Sequence, residues 1–494
     1  MIRRPPRSTQ SRSSAASDVY KRQEWHWPHR YAYQPDILKY AQAVADKFDL
    51  RKDIRFGCTV EAATFDDAAR VWRLRTDNGE ILQAAFCVMA TGCLSVPNVP
   101  DIPGIENFQG DLYHSAEWPA DGVDFSGKSV GVIGTGSSGI QIIPVIAKQA
   151  KHLLVFQRTP NFSVPARNVP LAPEASAEIK NSYAQYREKA RHSISGDFWE
   201  ENRMPLMSTS DDQQMIELEN TWEVGGFDIQ YAFSDVHVDP RANEVASEFV
   251  RRKIRSIVRD PKTAESLCPT GYPIGSKRIC VDDGYFETFN RDNVQLVDLK
   301  KTPIERVTET GLKTTEQDWP VDALVLATGF DAMTGALSKI DIRGANGVAL
   351  KNAWSDAPVT YLGLCVSGFP NLFIVTGPSS PSVLANMVMA IEQHVEWIGD
   401  CLAYLRKNNI DRIEATPDAQ KKWTDQVNAD ADATLYPKGD SWYVGSNIPG
   451  KTRVFMAYVN GLGPYRAICD KVVHTGYSGF DLAPADKEEQ ALQA

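Results

Sequence analysis

Val130-Gly131-Val132-Ile133-Gly134-Thr135-Gly136-Ser137-Ser138-Gly139-Ile140-Gln141 runs from β-branched residues through G-x-G-x-x-G into an apolar helix-like segment. Gly134 permits a tight turn, Gly136 lets the backbone approach a pyrophosphate, and Gly139 lets helix and strand pack closely; the helix N-terminus then offers free N–H groups and a positive dipole end to the phosphates. Outward from this unit, residues 129–159 read as strand, Gly-rich turn, helix and strand, the context that a dinucleotide-binding reading requires. Thr135, Ser137, Ser138 and Gln141 complete the candidate coenzyme contacts.

The next strand ends Phe156-Gln157-Arg158-Thr159. An NAD site places Asp or Glu about 20 residues after the turn to hold the ribose 2′-hydroxyl. Here no carboxylate repels a 2′-phosphate and Arg158 can pair with it bidentately, which favours NADP(H). The competing reading is a solvated arginine at a strand end. A second phosphate-type match, Gly445 to Thr452, fits G-x-x-x-x-G-K-T, but Ser441-Trp442-Tyr443 precedes it and a strand-like Val454 to Val459 follows, so nucleotide hydrolysis is not expected. No G-x-S-x-G places a hydrolase nucleophile.

Composition narrows the class. The chain has 494 residues, enough for two to four domains. Its 53 Lys plus Arg against 63 Asp plus Glu give a net charge of −10, which argues against nucleic acid as a partner. No apolar stretch of about 18 residues predicts a membrane span. The eight cysteines are scattered without a C-x-x-C pair, as for free thiols in a reducing, cytoplasmic setting, and the eight histidines form no H-E-x-x-H, so no metal is expected.

Elsewhere, Pro35 opens a helix with Ile37, Tyr40, Ala41, Val44 and Phe48 at helical spacing, and alternating Ile54, Phe56, Cys58 and Val60 predict a strand. A hairpin around Asp77-Asn78-Gly79 leads to the apolar run ending Ala90-Thr91-Gly92, and a similar run ends Ala327-Thr328-Gly329. Residues 174–265 read as a helical insertion, strand signals return at Val294 to Asp298 and Ala323 to Thr328, and a long apolar helix is expected around Ala385 to Leu405.

Just before the Gly-rich unit stands Phe108-x-Gly110-x-x-x-His114-x-x-x-Trp118-Pro119. With these residues the sequence resembles the Baeyer–Villiger monooxygenases, FAD- and NADPH-dependent enzymes that insert one atom of O2 beside a ketone carbonyl to give an ester or lactone. The resemblance extends from Glu24 to about Asp481, is nearest the phenylacetone and cyclohexanone monooxygenase branch, and is supported by Gly275-Ser276-Lys277-Arg278 and by Ser441-Trp442-Tyr443 through Gly450-Lys451. It implies an α/β fold of two dinucleotide-binding, Rossmann-like domains with a helical insertion.

By the resemblance, Arg278 matches the arginine that stabilises the anionic oxygenated flavin, and Lys277 assists Arg158 and Thr159 at the 2′-phosphate. Trp442 matches an aromatic residue on a loop that closes over the nicotinamide. His114 sits where the two nucleotide domains meet and couples their movement. Read alone, His114 is a buried histidine bonded to a carbonyl, Lys277-Arg278 a basic pair on a loop, and Trp442 an exposed or core aromatic.

The family's own first FAD-binding βαβ unit is expected to be missing, because residues 1–23 are an Arg/Ser/Pro-rich leader resembling a non-native join. FAD-facing candidates are then Val60, Ala90, Thr91, Gly92 and Met387, with Cys93 where relatives often carry Gln. The expected division is leader 1–23, partial FAD domain 24–120, NADP domain 121–165 and 271–324, helical insertion 166–270, FAD domain C-terminal part 325–482 and polar tail 483–494. Two other functions stay open: an N- or S-oxygenating flavin monooxygenase, and an inactive NADP-binding fragment.

Overall fold

The computed structural model describes residues 25–197, 202 and 204–485; the expected leader and most of the polar tail lie outside them. The coenzyme-side unit is a five-stranded, wholly parallel sheet in the order Val294–Asp298, His152–Gln157, Ser129–Ile133, Ala323–Leu326, Asp111–His114. Apolar residues on successive positions serve opposite faces, as the period of a strand dictates. Val130, Val132, Leu153 and Val155 join one core with the helix Ser137–Ala147 and the insertion helices, of which Pro240–Ile257 contributes Ala242, Ala246, Phe249, Val250 and Ile254. Ile133, Phe156 and Leu324 face the other way, onto the antiparallel strands Ile304–Thr308, Gly311–Thr314 and Asp318–Pro320. The parallel sheet thus has helices on one face and an antiparallel sheet on the other, and it contains the strand, Gly-rich turn, helix and strand read from the sequence.

The remaining part is assembled from short sheets. Asp341–Arg343, Val60–Asp66, Val71–Thr76 and Ile81–Ala84 form one; Leu372–Ile374 pairs in parallel with Cys87–Met89; Ile410–Ala415 pairs with Phe480–Pro484. The helices Met387–Lys407, Pro417–Asp432 and Leu462–His474 pack together around Trp397, Trp423 and Tyr465.

Two local readings differ from the structure, and a third holds with a difference in packing. The alternation Ile54, Phe56, Cys58 is not a strand: the chain turns there, Phe56 is 70% exposed, and the strand starts only at Val60. Period two without a partner edge leaves the backbone groups of such a segment to water. The helix Gln34–Lys47 forms as expected, with Pro35 in its first turn, but buries none of its residues. Residues 454–459 join no ladder and bend at Ala457, so the segment after Lys451 is not a strand. Among the described residues, no helix is long and apolar enough to cross a membrane, and no three His, Cys, Asp or Glu side chains converge as for a metal.

Candidate active site

The Gly-rich turn assigns each glycine a separate steric duty. Gly134 has φ +108°, and a Cβ there would collide with the Ala327 carbonyl oxygen. A Cβ on Gly139 would collide with the Gly134 carbonyl oxygen, so helix and strand approach as closely as the spacing predicts. Around Gly136 the space is open, as a backbone that must meet a phosphate requires. Gly136 is also the N-cap of the helix Ser137–Ala147, with no side-chain cap on its first N–H groups, so they are available to an anion. Thr135 is buried and donates to the Thr159 carbonyl at 3.1 Å, which ties the turn to the end of the next strand. Gln141 donates back to the Ser137 carbonyl.

At that strand end Arg158 is exposed and makes no ion pair among the described residues. Lys277 is brought beside it: Tyr272 donates to the Pro160 carbonyl at 2.7 Å, Asn161 donates to the Arg278 carbonyl at 3.1 Å, and the Lys277 ammonium lies 4.9 Å from the Tyr272 ring centre. Lys277 itself donates to the Asp440 carbonyl. Burial holds the Lys277 ammonium below the usual lysine range; the charge of Asp440 opposes this, while those of Arg158 and Lys300 push the same way as burial. Arg158, Lys277 and Lys300 gather here with Asp440 as the acidic neighbour of Lys277, a cluster with an excess of positive charge that favours an anion. A cleft of about 540 Å³ lined by Pro160, Ser266, Thr270, Lys300 and Lys301 opens beside them. Lys300 escaped the sequence reading because it follows the strand Val294–Asp298 and reaches this corner only through the sheet order.

One residue on, Arg278 faces the other way. Its guanidinium donates to the Val383 carbonyl at 2.7 Å and lies 5.0 Å from the Phe227 ring centre. Burial pushes the Tyr443 phenol up to about 12, with the charge of Arg278 and a hydrogen bond to it pulling the other way. Cys93, Val383 and Tyr443 share one buried cluster, against which Met387 and Trp442 pack, half-buried. The indole of Trp442 meets Tyr443 edge-on at 4.5 Å. Lys451 of the phosphate-loop match is already engaged, with Asp331 at 2.6 Å and the Ala332 carbonyl at 2.8 Å, and the loop carrying it is pinned by Asn447 donating to the Phe330 carbonyl. The match is therefore a structural clasp on the segment leaving the coenzyme sheet.

Of the remaining flavin candidates, Ala90 and Gly92 are exposed, Gly92 has φ +74° with open space around it, and Thr91 accepts from Ser95. Val60 belongs to another sheet, opposite Thr76, and nothing in its contacts joins it to Arg278.

His114 ends the strand Asp111–His114, opposite Leu326. Its Nδ1 accepts from the Ala116 N–H at 3.1 Å, so Nε2 carries the hydrogen and donates to Thr328 Oγ1 at 3.2 Å; Thr328 in turn donates to the Asn98 carbonyl at 2.7 Å. This chain of bonds ties the sheet edge to the two segments that leave it, a hydroxyl-mediated version of the carbonyl bond read from the sequence. The rest of the motif is packing: a Cβ on Gly110 would strike the Asp322 carbonyl and the Phe108 ring, and Trp118 packs on Tyr113 and Phe125.

The residues present fit the two nucleotides differently. The coenzyme turn offers a cradle open at Gly136, uncapped N–H groups and a cluster of cations. The flavin side offers Arg278 and an open backbone at Gly92 beside the Cys93 cluster.

Residues 16–167 match the flavin-binding monooxygenase-like family. Cyclohexanone 1,2-monooxygenase of Acinetobacter sp is 41% identical over 92% of this chain and 83% of its own length. Phenazine N-monooxygenase of Lysobacter antibioticus is 41% identical over 93% of this chain and 84% of its own. The structure of an oxidized steroid monooxygenase bound to NADP superposes with a TM-score of 0.91 at 48% identity, covering 94% of this chain and 88% of that one.

Proposed function

Since the chain belongs to the Baeyer–Villiger monooxygenase family, we propose that the turn Gly275–Arg278 is where its coenzyme and oxygenation sites meet, with Lys277 serving one and Arg278 the other. The enzyme is an FAD- and NADPH-dependent monooxygenase: ketone, O2, NADPH and a proton give ester or lactone, NADP+ and water. When bound, NADPH supplies the hydride and FAD the reductive activation of O2.

The chain's own residues bind, orient and exclude. The N–H groups after Gly136 hold the pyrophosphate, while Arg158, Thr159 and Lys277, with Lys300 behind them, select the 2′-phosphate. Arg278 is held by the Val383 carbonyl and by Tyr443 before any substrate arrives. Its other N–H donors are then preorganised for an anionic oxygen, both before it attacks the carbonyl and as the alkoxide develops, a contribution of several kcal/mol in a site kept dry. Trp442, on the segment clasped by Lys451, covers the nicotinamide and keeps water out. His114, locked by Ala116 and Thr328, holds the sheet edge to the segments entering and leaving it.

The observation that carries this reading is that adjacent residues of one turn face a cationic anion pocket and the Val383–Tyr443 cluster. In Arg278→Ala, ester formation should fall by roughly two to three orders of magnitude, the cost of a lost preorganised donor, while NADPH still reduces the flavin in stopped flow. Wild-type ester yield from that variant would refute the role. Supplying a cyclic ketone and an aromatic N-heterocycle to the same preparation tests the heteroatom reading, which the phenazine N-monooxygenase relative favours; N-oxide in place of ester would establish it.

A further inference from the structure

We propose that His237 is a positioning residue for this reaction, its ring wedged between the Gly275–Arg278 turn and the segment 435–444 so that the coenzyme lysine, the flavin-side arginine and Trp442 are held in one register. The inference rests on the roles given above to Lys277 and Arg278.

His237 lies in the insertion, just before the helix Pro240–Ile257. One ring face stacks on Tyr436 with centroids 5.0 Å apart and planes at 17°. The ring edge meets Gly275, where a Cβ would stand 2.5 Å from Cε1 and 2.7 Å from Nδ1. Only glycine fits there, and its φ of +88° independently demands one. The main chain joins in: the Leu435 N–H donates to the His237 carbonyl at 2.8 Å.

What the ring separates is the working part of the site. Gly275 leads directly into Ser276, Lys277 and Arg278. Tyr436 leads into Asp440, Ser441, Trp442 and Tyr443. The two runs are stitched beyond the ring, Ser441 donating to the Ser276 carbonyl at 3.1 Å and Lys277 to the Asp440 carbonyl. Removing the ring leaves the stitches but takes away the spacer that sets the distance between the runs.

The ring is held in one state. Burial pushes its pKa down to about 4, offset only in part by a backbone hydrogen bond at Gln230, so it is neutral around pH 7. Its Nε2 is buried without a partner. A buried acceptor left unmatched is costly, and a leucine of similar volume would avoid that cost. What an aliphatic side chain lacks is the flat face against Tyr436 and the polar edge that fixes ring rotation beside Gly275.

The test uses the FAD-loaded full chain with His237→Ala, Tyr436→Ala and the double variant. NADP+ affinity is measured by calorimetry, the share of oxidised NADPH ending as hydrogen peroxide is measured against ester, and melting temperature is followed in parallel. Each single variant should weaken NADP+ and raise the peroxide share by roughly 3- to 10-fold, in line with residues coupled by direct contact, and the double should be no worse than either single. His237→Phe, which keeps the flat face, should recover most of the coupling. A His237→Ala protein that melts with the wild type yet shows wild-type affinity and peroxide share overturns the proposal, as do effects that multiply in the double. If the alanine variants do not fold, His237→Leu and Tyr436→Leu are read by the same criteria. Arg278→Ala is the control: ester made at wild-type yield there would sink the arginine's role, whereas its loss together with silent His237 variants would sink only the positioning role.

Discussion

The coenzyme turn draws Gly134, Gly136, Gly139 and the helix start from one uninterrupted run, and Arg158 follows at the next strand end. The flavin side instead collects Cys93, Arg278, Val383, Met387 and Trp442 from segments spread along nearly the whole chain. Burial differs as well. Val130, Val132, Leu153 and Val155 are fully enclosed in a sheet covered on both faces. On the other side the strand Cys87–Met89 is paired along one edge among the described residues, and Val88 is 43% exposed. A phosphate needs only backbone N–H groups in a fixed curve, which a single supersecondary unit supplies by itself. Charge held over a reacting oxygen needs side chains from several directions, and only tertiary packing brings those together.

If the coenzyme half is self-contained, its glycines should fail separately and in order. Gly139→Ala forces a Cβ onto the Gly134 carbonyl, so it should cost about 1–3 kcal/mol of stability, the usual range for overpacking, and abolish measurable NADPH binding. Thermal melts and calorimetry check both. Gly136→Ala meets nothing in the protein. Stability should stay within about 0.5 kcal/mol, while NADPH affinity drops roughly 10- to 100-fold from lost charge-assisted hydrogen bonds. A Gly136→Ala variant with normal affinity would break the comparison, because the open space would then serve no phosphate.

A smaller effect separates Arg158 from the turn. Arg158→Ala should leave NADH affinity unchanged and weaken NADPH by roughly 10-fold, since a paired charge contributes about 1.5–3 kcal/mol and Lys277 with Lys300 retains part of the field. Equal loss for both coenzymes would place Arg158 at the pyrophosphate instead.

How much of this could be read from sequence follows the same division. The parallel sheet and Ser137–Ala147 were legible because strand period, glycine spacing and helix start lie in one window. Of the strand foreseen over Ile54 to Val60 only Val60 lies in one, because alternation records a pattern of side chains and says nothing of whether a partner edge is near. The helix Gln34–Lys47 was legible as a helix but not in its burial, which depends on neighbours distant in sequence. Arg278 and Trp442 carried no local signal and were found only through family resemblance. Lys300 and His237 were missed: each acts through a contact fixed by sheet order or by the insertion's docking. His114 stood out through its motif, but its Thr328 partner, and through it Asn98, appear only in three dimensions.

The finest distinction lies within the cation cluster. The ammonium of Lys277 is held below the ordinary lysine range by burial, which outweighs the opposing charge of Asp440 and is helped by Arg158 and Lys300. As a base with a lowered pKa, it loses its proton before an exposed lysine would as pH rises, whereas the 2′-phosphate stays dianionic and Arg158 stays charged. The preference for NADPH over NADH should therefore decline on the alkaline side, starting below the usual lysine titration. Lys277→Arg keeps its charge through the same range and should flatten that decline while changing the preference at pH 7 by no more than a few-fold. Dissociation constants for both coenzymes between pH 7 and 10 decide the matter. Parallel profiles for wild type and Lys277→Arg would mean that Lys277, although beside Arg158, does not meet the phosphate, and that the division of labour within the Gly275–Arg278 turn must be redrawn.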